Sequence, residues 1–270
     1  MTRSKDELPA GRARLAAVIS TAGDVVRIED AVKALGLPRT QAAKLLSRWA
    51  AQGWLRHVGK GAYVPVQLDL LDAGTVVEDP WILVPALFAP AYIGGRTAAE
   101  HWDLTEQIFR DIVVFTARPV RVKTVERQSA VFTLKHIRED RIFGIKPVWR
   151  RQSKIAVSDI HRTIVDMLDD PAVGGGIQHA ADCFDRYLQR QDCDPEKLIA
   201  YAERLGNGAI FKRLGFLAER HPLGETLAQA AKHRLTKGHT KLDPALECPR
   251  LITRWRLRVP RTWVREPARD

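Results

Sequence analysis

Apolar residues recur at helical spacing in three successive segments near the N-terminus. Leu15, Val18 and Ile19 share one face between about Arg12 and Thr21, and Ile28, Ala31, Val32 and Leu35 repeat the spacing. Glu29 and Asp30 suit the positive end of the second helix, and Gly36 is placed to end it. Pro38 then fits the first turn of a third helix, with Ala42, Leu45, Leu46 and Trp49 as its apolar stripe. Thr40, Gln41, Lys44, Ser47 and Arg48 are left facing outward. The period then shortens: Trp54–Val58 and Ala62–Val64 read as strands around a Gly59-Lys60-Gly61 turn. Three short helices followed by a hairpin predict a winged helix-turn-helix.

Beyond VQLDLLDAGTVVEDP the pattern is mixed. Trp81–Phe88 and Arg96–Trp102 predict short helices, and Ile112–Thr116, Ala130–Ile137, Ile145–Arg150 and Lys154–Val157 predict strands. Helical spacing returns over Ser158–Leu168, Ile177–Arg190, Pro195–Leu205, Gly208–Glu219 and Glu225–Leu235. Strands and helices in separate blocks predict an α+β domain with an antiparallel sheet and a helical subdomain. Near the end, Arg254, Arg256 and Arg258 alternate with Trp255, Leu257 and Val259, which predicts a strand with an arginine face. The expected division is a winged helix over 1–66, a linker over 67–80, and an α+β domain over 81–270. That domain would be sheet-rich over 81–157 and helical over 158–236, with a basic strand region at 250–265.

Charge gives this layout a direction. Residues 1–66 hold 11 Lys/Arg against 5 Asp/Glu, residues 67–248 hold 25 of each, and residues 249–270 hold 7 against 2. Basic ends around a neutral middle point to localised contacts with polyanions. In the winged helix, Arg39 and Gln41 are residue types that make bidentate contacts to guanine and adenine. Lys44 and Arg48 lie further along the same face, suited to phosphates. Arg56 and Lys60 belong to the wing and can reach the backbone or an adjacent minor groove. Together with Thr40 and Ser47 they form the expected interface with double-stranded DNA.

Other chemistry finds less support. Cys183, Cys193 and Cys248 are widely spaced, in no zinc-ligand pattern. Neither a metal nor a cofactor is expected. No apolar run approaches the roughly 20 residues that span a bilayer, and MTRSKDELPAGR lacks the apolar core of a secretory signal, so a cytoplasmic protein is expected. The glycines at 94–95 and 174–176 lack the GxxxxGK[ST] arrangement and read as turns. Asp111 and Lys135 echo a metal-dependent nuclease core, but Thr133 stands where such a core needs a carboxylate. An enzyme is therefore not the favoured reading.

Three stretches carry a family likeness: YIGGRTAAEHWDLTEQ (92–107), VSDIHRTIVDMLDDPAVGGGIQHAAD (157–182) and DPEKLIAYAERLGNGAIFKRLGFLAE (194–219). With the preceding winged helix, they resemble AbiEi-type antitoxins, the antitoxin and autorepressor half of type IV abortive-infection toxin–antitoxin pairs. The resemblance spans most of residues 10–220 and loosens beyond. It implies binding to an inverted-repeat operator and repression of the chain's own operon. It also implies opposition to a nucleotidyltransferase-like toxin, by contact or otherwise, and monomers or weak dimers that cooperate on DNA. The competing reading is a stand-alone winged-helix regulator with a sensing or scaffolding C-terminal domain.

Among the residues inside the likeness, Lys212 and Arg213 match its KRLG motif. They are expected to project away from the apolar face of Gly208–Glu219, onto a solvated surface or towards a toxin or anion. Arg162 and Asp166 match its RT…D motif and, four apart on one helix, are expected to form a structural ion pair. Arg254, Arg256 and Arg258 are expected to repel one another on their strand unless an acidic partner or an anion compensates.

Overall fold

The computed structural model describes residues 10–66 and 78–264. Residues 67–77, most of the expected linker, lie outside the described residues, as do MTRSKDELP and the end of the expected basic region at Arg265.

The N-terminal part comprises α1 (Ala10–Ala22), β1 (Val26–Arg27), α2 (Ile28–Leu35), α3 (Arg39–Ala51), β2 (Leu55–Gly59) and β3 (Ala62–Pro65). Its core is Val18, Val26, Ala31, Ala42, Leu46, Trp49, Leu55 and Tyr63, so the helical stripes converge as their spacing requires. Gly36 ends α2 in the left-handed conformation at φ 63°, with its N–H donating to Val32 O at 2.9 Å. The wing gains a strand that the apolar pattern does not announce: β1, two residues long, pairs antiparallel with β3.

A 3₁₀ turn at Pro80–Leu83 leads into α4 (Val84–Leu87), β4 (Ala91–Ile93) and α5 (Gly95–His101). The strands β5 (Asp111–Thr116), β6 (Thr124–Arg127), β7 (Ala130–His136), β8 (Ile145–Arg150) and β9 (Ser153–Ser158) follow. They form a six-stranded sheet in the order β6-β7-β5-β4-β9-β8. The sheet is mixed, where sequence pattern predicted an antiparallel one. β4 sits in its middle, antiparallel to β5 but parallel to β9, and β5 and β7 are also parallel. Three residues are too few to announce a strand by alternation, yet β4 sets the polarity of the sheet's centre. Along β5, Ile112 and Val114 face one core while Val113 and Phe115 face another.

The helical layer is α6 (Ile160–Asp169), α7 (Ile177–Leu188), α8 (Pro195–Leu205), α9 (Gly208–Ala218) and α10 (Glu225–Lys232). Asp159, Asp194 and Asn207 cap α6, α8 and α9 by accepting from N–H groups of the first turns. A three-stranded sheet, β10 (Thr240–Lys241), β11 (Arg250–Ile252) and β12 (Leu257–Val259), closes this layer in the order β10-β12-β11.

The N-terminal part is packed on the large sheet. Val25, Val58, Ala62 and Val64 share a buried cluster with Ile82, Leu83, Val84, Ile93, Val114 and Phe132. Polar ties reinforce the junction. Asp24 accepts from the Gln152 N–H at 3.0 Å and the Ser153 hydroxyl at 2.8 Å, and Arg27 donates to Pro85 O at 2.6 Å. Among the described residues, no helix is long and apolar enough to cross a membrane.

Candidate nucleic-acid interface

The third helix takes its orientation from three buried anchors. Ala42, Leu46 and Trp49 are at most 2% exposed, which turns Arg39, Thr40, Gln41, Lys44, Ser47 and Arg48 to solvent. Pro38 precedes the helix without a side-chain cap, and no acidic residue occupies the first turn. The N–H groups of Arg39 and Thr40 have no acceptor among the described residues. The positive end of the helix dipole is thus exposed beside a cationic face, an arrangement that attracts phosphate.

Two members of the predicted set have partners that sequence did not reveal. Arg39 forms an ion pair with Glu29 across the turn between α2 and α3, with both side chains exposed. The Arg39 hydrogen bond holds the Glu29 carboxyl below its ordinary range. Glu29 is a first-turn acid of α2, and nothing in its spacing announces Arg39 as its partner. The Ser47 hydroxyl lies 3.3 Å from the hydroxyl of Tyr63, which ties α3 to the wing.

In the wing, Lys60 is exposed at the tip, and Gly61 adopts φ 69° to close the turn. Arg56 is half-buried on β2 opposite Val64. The strand beside it leans on the second module: Gln128 donates to His57 O at 3.2 Å, and a Cβ at Gly59 would collide with Leu87. Lys60 is therefore the wing cation most open to an approaching duplex.

The C-terminal candidates fall elsewhere than predicted. Lys212 and Arg213 do not project onto an open face; they are 4% and 2% exposed. The Lys212 ammonium donates to Gly238 O at 3.0 Å. Arg213 donates to Leu168 O and Asp169 O at the end of α6, and to Lys241 O and Leu242 O. Helix α9 is enclosed on all sides, and Gly215 has no Cβ because the Trp255 ring occupies that space. An almost wholly apolar helix is normally buried, and that was the available signal.

The arginine strand is likewise interrupted. Arg254 lies in a 3₁₀ turn and pairs with Glu219 at 2.7 Å, Arg256 is left-handed at φ 51°, and Arg258 stands exposed on β12. Only Arg258 therefore lies on a strand, although all three arginines are exposed while Trp255, Leu257 and Val259 are buried.

Arg162 and Asp166 form the expected pair at 2.8 Å. Asp111 and Lys135 are not brought together. Asp111 accepts from Arg96 and Thr133, whereas Lys135 aligns with Phe115 on the neighbouring strand and pairs with Asp169 and Asp170. Among the described residues, no group of three or more His, Cys, Asp or Glu is placed to hold a metal.

A helical triad closed by a β-hairpin, with the third helix offering a polar and cationic face, defines the winged helix-turn-helix class. Residues 13–66 match the family described as transcriptional regulator, AbiEi antitoxin, and the N-terminal module is of that AbiEi type. No curated protein matches the chain. Among solved structures, the chain is similar to the RV2827C protein from Mycobacterium tuberculosis, with a TM-score of 0.61 and 16% identity. The alignment covers 94% of this chain and 92% of that one, a likeness of fold.

Proposed function

We propose that the chain is a cytoplasmic, DNA-binding antitoxin that represses its own operon through the winged helix. The part beyond residue 80 counters a cognate nucleotidyltransferase-like toxin, and neither activity is enzymatic. The observation that carries the DNA-binding half is the exposed α3 face of Thr40, Gln41, Lys44 and Arg48 beside a helix N-terminus that has no side-chain cap and no acid in its first turn. The antitoxin half rests on the family match over residues 13–66 and on the sequence likeness beyond it.

In this reading Gln41 reads a base edge, Lys44, Arg48 and Lys60 hold phosphates, and Arg39 does either once released from Glu29. The test uses full-length protein on a duplex containing its own promoter. Binding should weaken steeply with salt, and Lys44→Ala with Arg48→Ala should make that dependence shallower by about one counterion for each lost contact. A salt-insensitive complex would exclude this face. Co-expression of the same variant with the neighbouring toxin gene then separates the two activities: growth rescue should persist while promoter silencing is lost. Point substitutions are preferable to deleting residues 1–66, because Val25, Val58, Ala62 and Val64 complete a core that includes the second module.

A further inference from the structure

His161, the second residue of α6, is 6% exposed and forms part of the wall of a cavity of about 570 Å³. The cavity lies between the start of α6, the loop joining α7 to α8, and the first turns of α8 and α10. Asp192, Cys193, Asp194, Glu196 and Lys197 supply most of the remaining wall. Its size is that of a small-ligand site, which spans roughly 300–1,000 Å³.

Hydrogen bonds fix which edge of the imidazole the cavity meets. Tyr187 gives its one hydroxyl proton to Asp194 O at 3.1 Å, and its oxygen accepts from the Asp194 N–H at 3.1 Å. His161 Nδ1, 3.0 Å from that oxygen, is then the donor of the pair. Burial holds the imidazole below the ordinary histidine range, so the ring is neutral and Nε2 carries a lone pair. Nε2 has no hydrogen-bond partner among the described residues, yet it is not one of their sealed-off polar atoms. A nine-tenths buried acceptor thus opens on the cavity.

The charges around it do not balance. Asp159 holds the Lys197 ammonium at 3.0 Å, and Arg190 takes both oxygens of Asp192 at 2.8 and 3.1 Å. Among the described residues, the Asp194 carboxylate accepts only from the Lys197 N–H, and Glu196 has no partner. On a chain of net charge +11, this hollow keeps two acids that no cation matches. Their place at the positive end of α8 accounts for the acids, but not for the imidazole acceptor beside them. An organic cation with N–H donors answers both, since it donates to Nε2 while the carboxylates neutralise it. An anion would be repelled, and a neutral donor would leave the acids unmatched.

We propose that this cavity binds a small organic cation, a primary amine or a guanidine, through His161 Nε2, Asp194 and Glu196. It gives the second module a ligand of its own, whatever the winged helix binds.

The test is a titration of full-length protein with 1,4-diaminobutane and with methylguanidine, against sodium chloride and tetramethylammonium at matched ionic strength. The readout is the ¹⁵N resonance of His161 Nε2, identified by through-bond correlation to its own backbone. Either donor cation should move it saturably, whereas tetramethylammonium, which has no N–H, should not. The tighter of the two probes decides between ammonium and guanidinium. Glu196 is exposed, so Glu196→Gln should keep the parent's circular dichroism while weakening binding by about fivefold. If neither probe moves Nε2 saturably, if tetramethylammonium moves it as they do, or if Glu196→Gln binds as tightly as the parent, the site is not there.

Discussion

Arg162 and Asp166, one helical turn apart on α6, form an ion pair whose side chains are 1% and 2% exposed. Its surroundings complete it. Tyr92 donates its hydroxyl proton to Asp166 at 3.0 Å and accepts from Arg162 at 2.7 Å, while Arg162 also donates to Arg141 O and Phe143 O. The pair joins α6 to β4 and to the segment before β8. Removing one member leaves the other charge buried, so Arg162→Met should cost about 3–5 kcal/mol. Burial already raises the Asp166 carboxyl above its ordinary value of 3.8, against the pull of Arg162 and Tyr92. Without Arg162 the rise should be larger. The folded state then holds a proton that the unfolded chain releases, so stability falls as pH rises above the ordinary value. Urea unfolding at pH 5 and pH 8 should show the variant's deficit to be larger at pH 8. An equal deficit at both would mean that Asp166 stays ionised without its partner.

Asp169 provides the opposite sign. Burial alone would raise its carboxyl, but the Lys135 ammonium and the Asn207 amide hold it below 3.8. A carboxyl depressed in the folded state stabilises above its unfolded value, and that contribution is lost as pH falls through the folded one. Lys135→Met should therefore move the midpoint of acid unfolding to higher pH. A midpoint that stays put would show that Asp170 or solvent already carries the Lys135 interaction.

Arg213 reaches the last turn of α6 and the start of the C-terminal sheet at once, donating to Leu168 O at 2.7 Å and to Leu242 O at 2.9 Å. A single ammonium cannot reproduce a guanidinium that spreads its donors over four carbonyls. Both Arg213→Met and Arg213→Lys should cost about 2–4 kcal/mol, since each strands buried acceptors. Hydrogen exchange distinguishes this link from a local packing defect. The amides at the end of α6 and those near Leu242 should lose protection together, and independent changes would dissolve the link.

How far residue pattern foretold these features depends on element length and on what each side chain meets. Helices α2, α3, α8 and α9 were legible because punctuation agreed with periodicity: Gly36, Pro38, Pro195, Gly206 and Asn207 sit at their ends. Strands of two or three residues, β1 and β4, carry no readable alternation, although β4 makes the sheet mixed. Burial of Lys212 and Arg213 was signalled only by the apolar residues all round their helix, because a charged pair on a helix is ordinarily solvated and the receiving carbonyls lie about 25–45 residues away in sequence. In the winged helix the outward residues of α3 follow from the inward ones, whereas the Glu29–Arg39 pair depends on an interhelical turn that periodicity does not describe.

The junction between the modules makes a prediction about cooperativity. Leu83 is fully buried in the cluster that also takes in Val58, Ala62 and Val64. Leu83→Ala should cost about 2–5 kcal/mol and should loosen the wing together with the sheet. Amide exchange in β2 and β3 would rise in step with that in β9. If exchange in the wing stayed at its original level, the winged helix would be an independent folding unit and deletion of residues 1–66 would be harmless to the rest.

Glu29 shapes how the interface meets DNA. It occupies Arg39, the first residue of α3, in the free protein, and it opposes an incoming phosphate by its own charge. An exposed ion pair adds little to stability, so Glu29→Gln should leave thermal unfolding nearly unchanged. Its effect should fall on binding: affinity for promoter DNA rises about threefold at low salt, and the gain shrinks as screening removes both the repulsion and the competing pair. Arg39→Ala separates the two contributions. If Glu29 acts by occupying Arg39, the Glu29→Gln gain should be smaller in an Arg39→Ala background. If it acts only as a negative charge, the gain should be the same in both. Anisotropy titrations of the four proteins at two salt concentrations decide between them, and a loss of affinity in Glu29→Gln would instead mean that the ion pair orients Arg39 for the duplex.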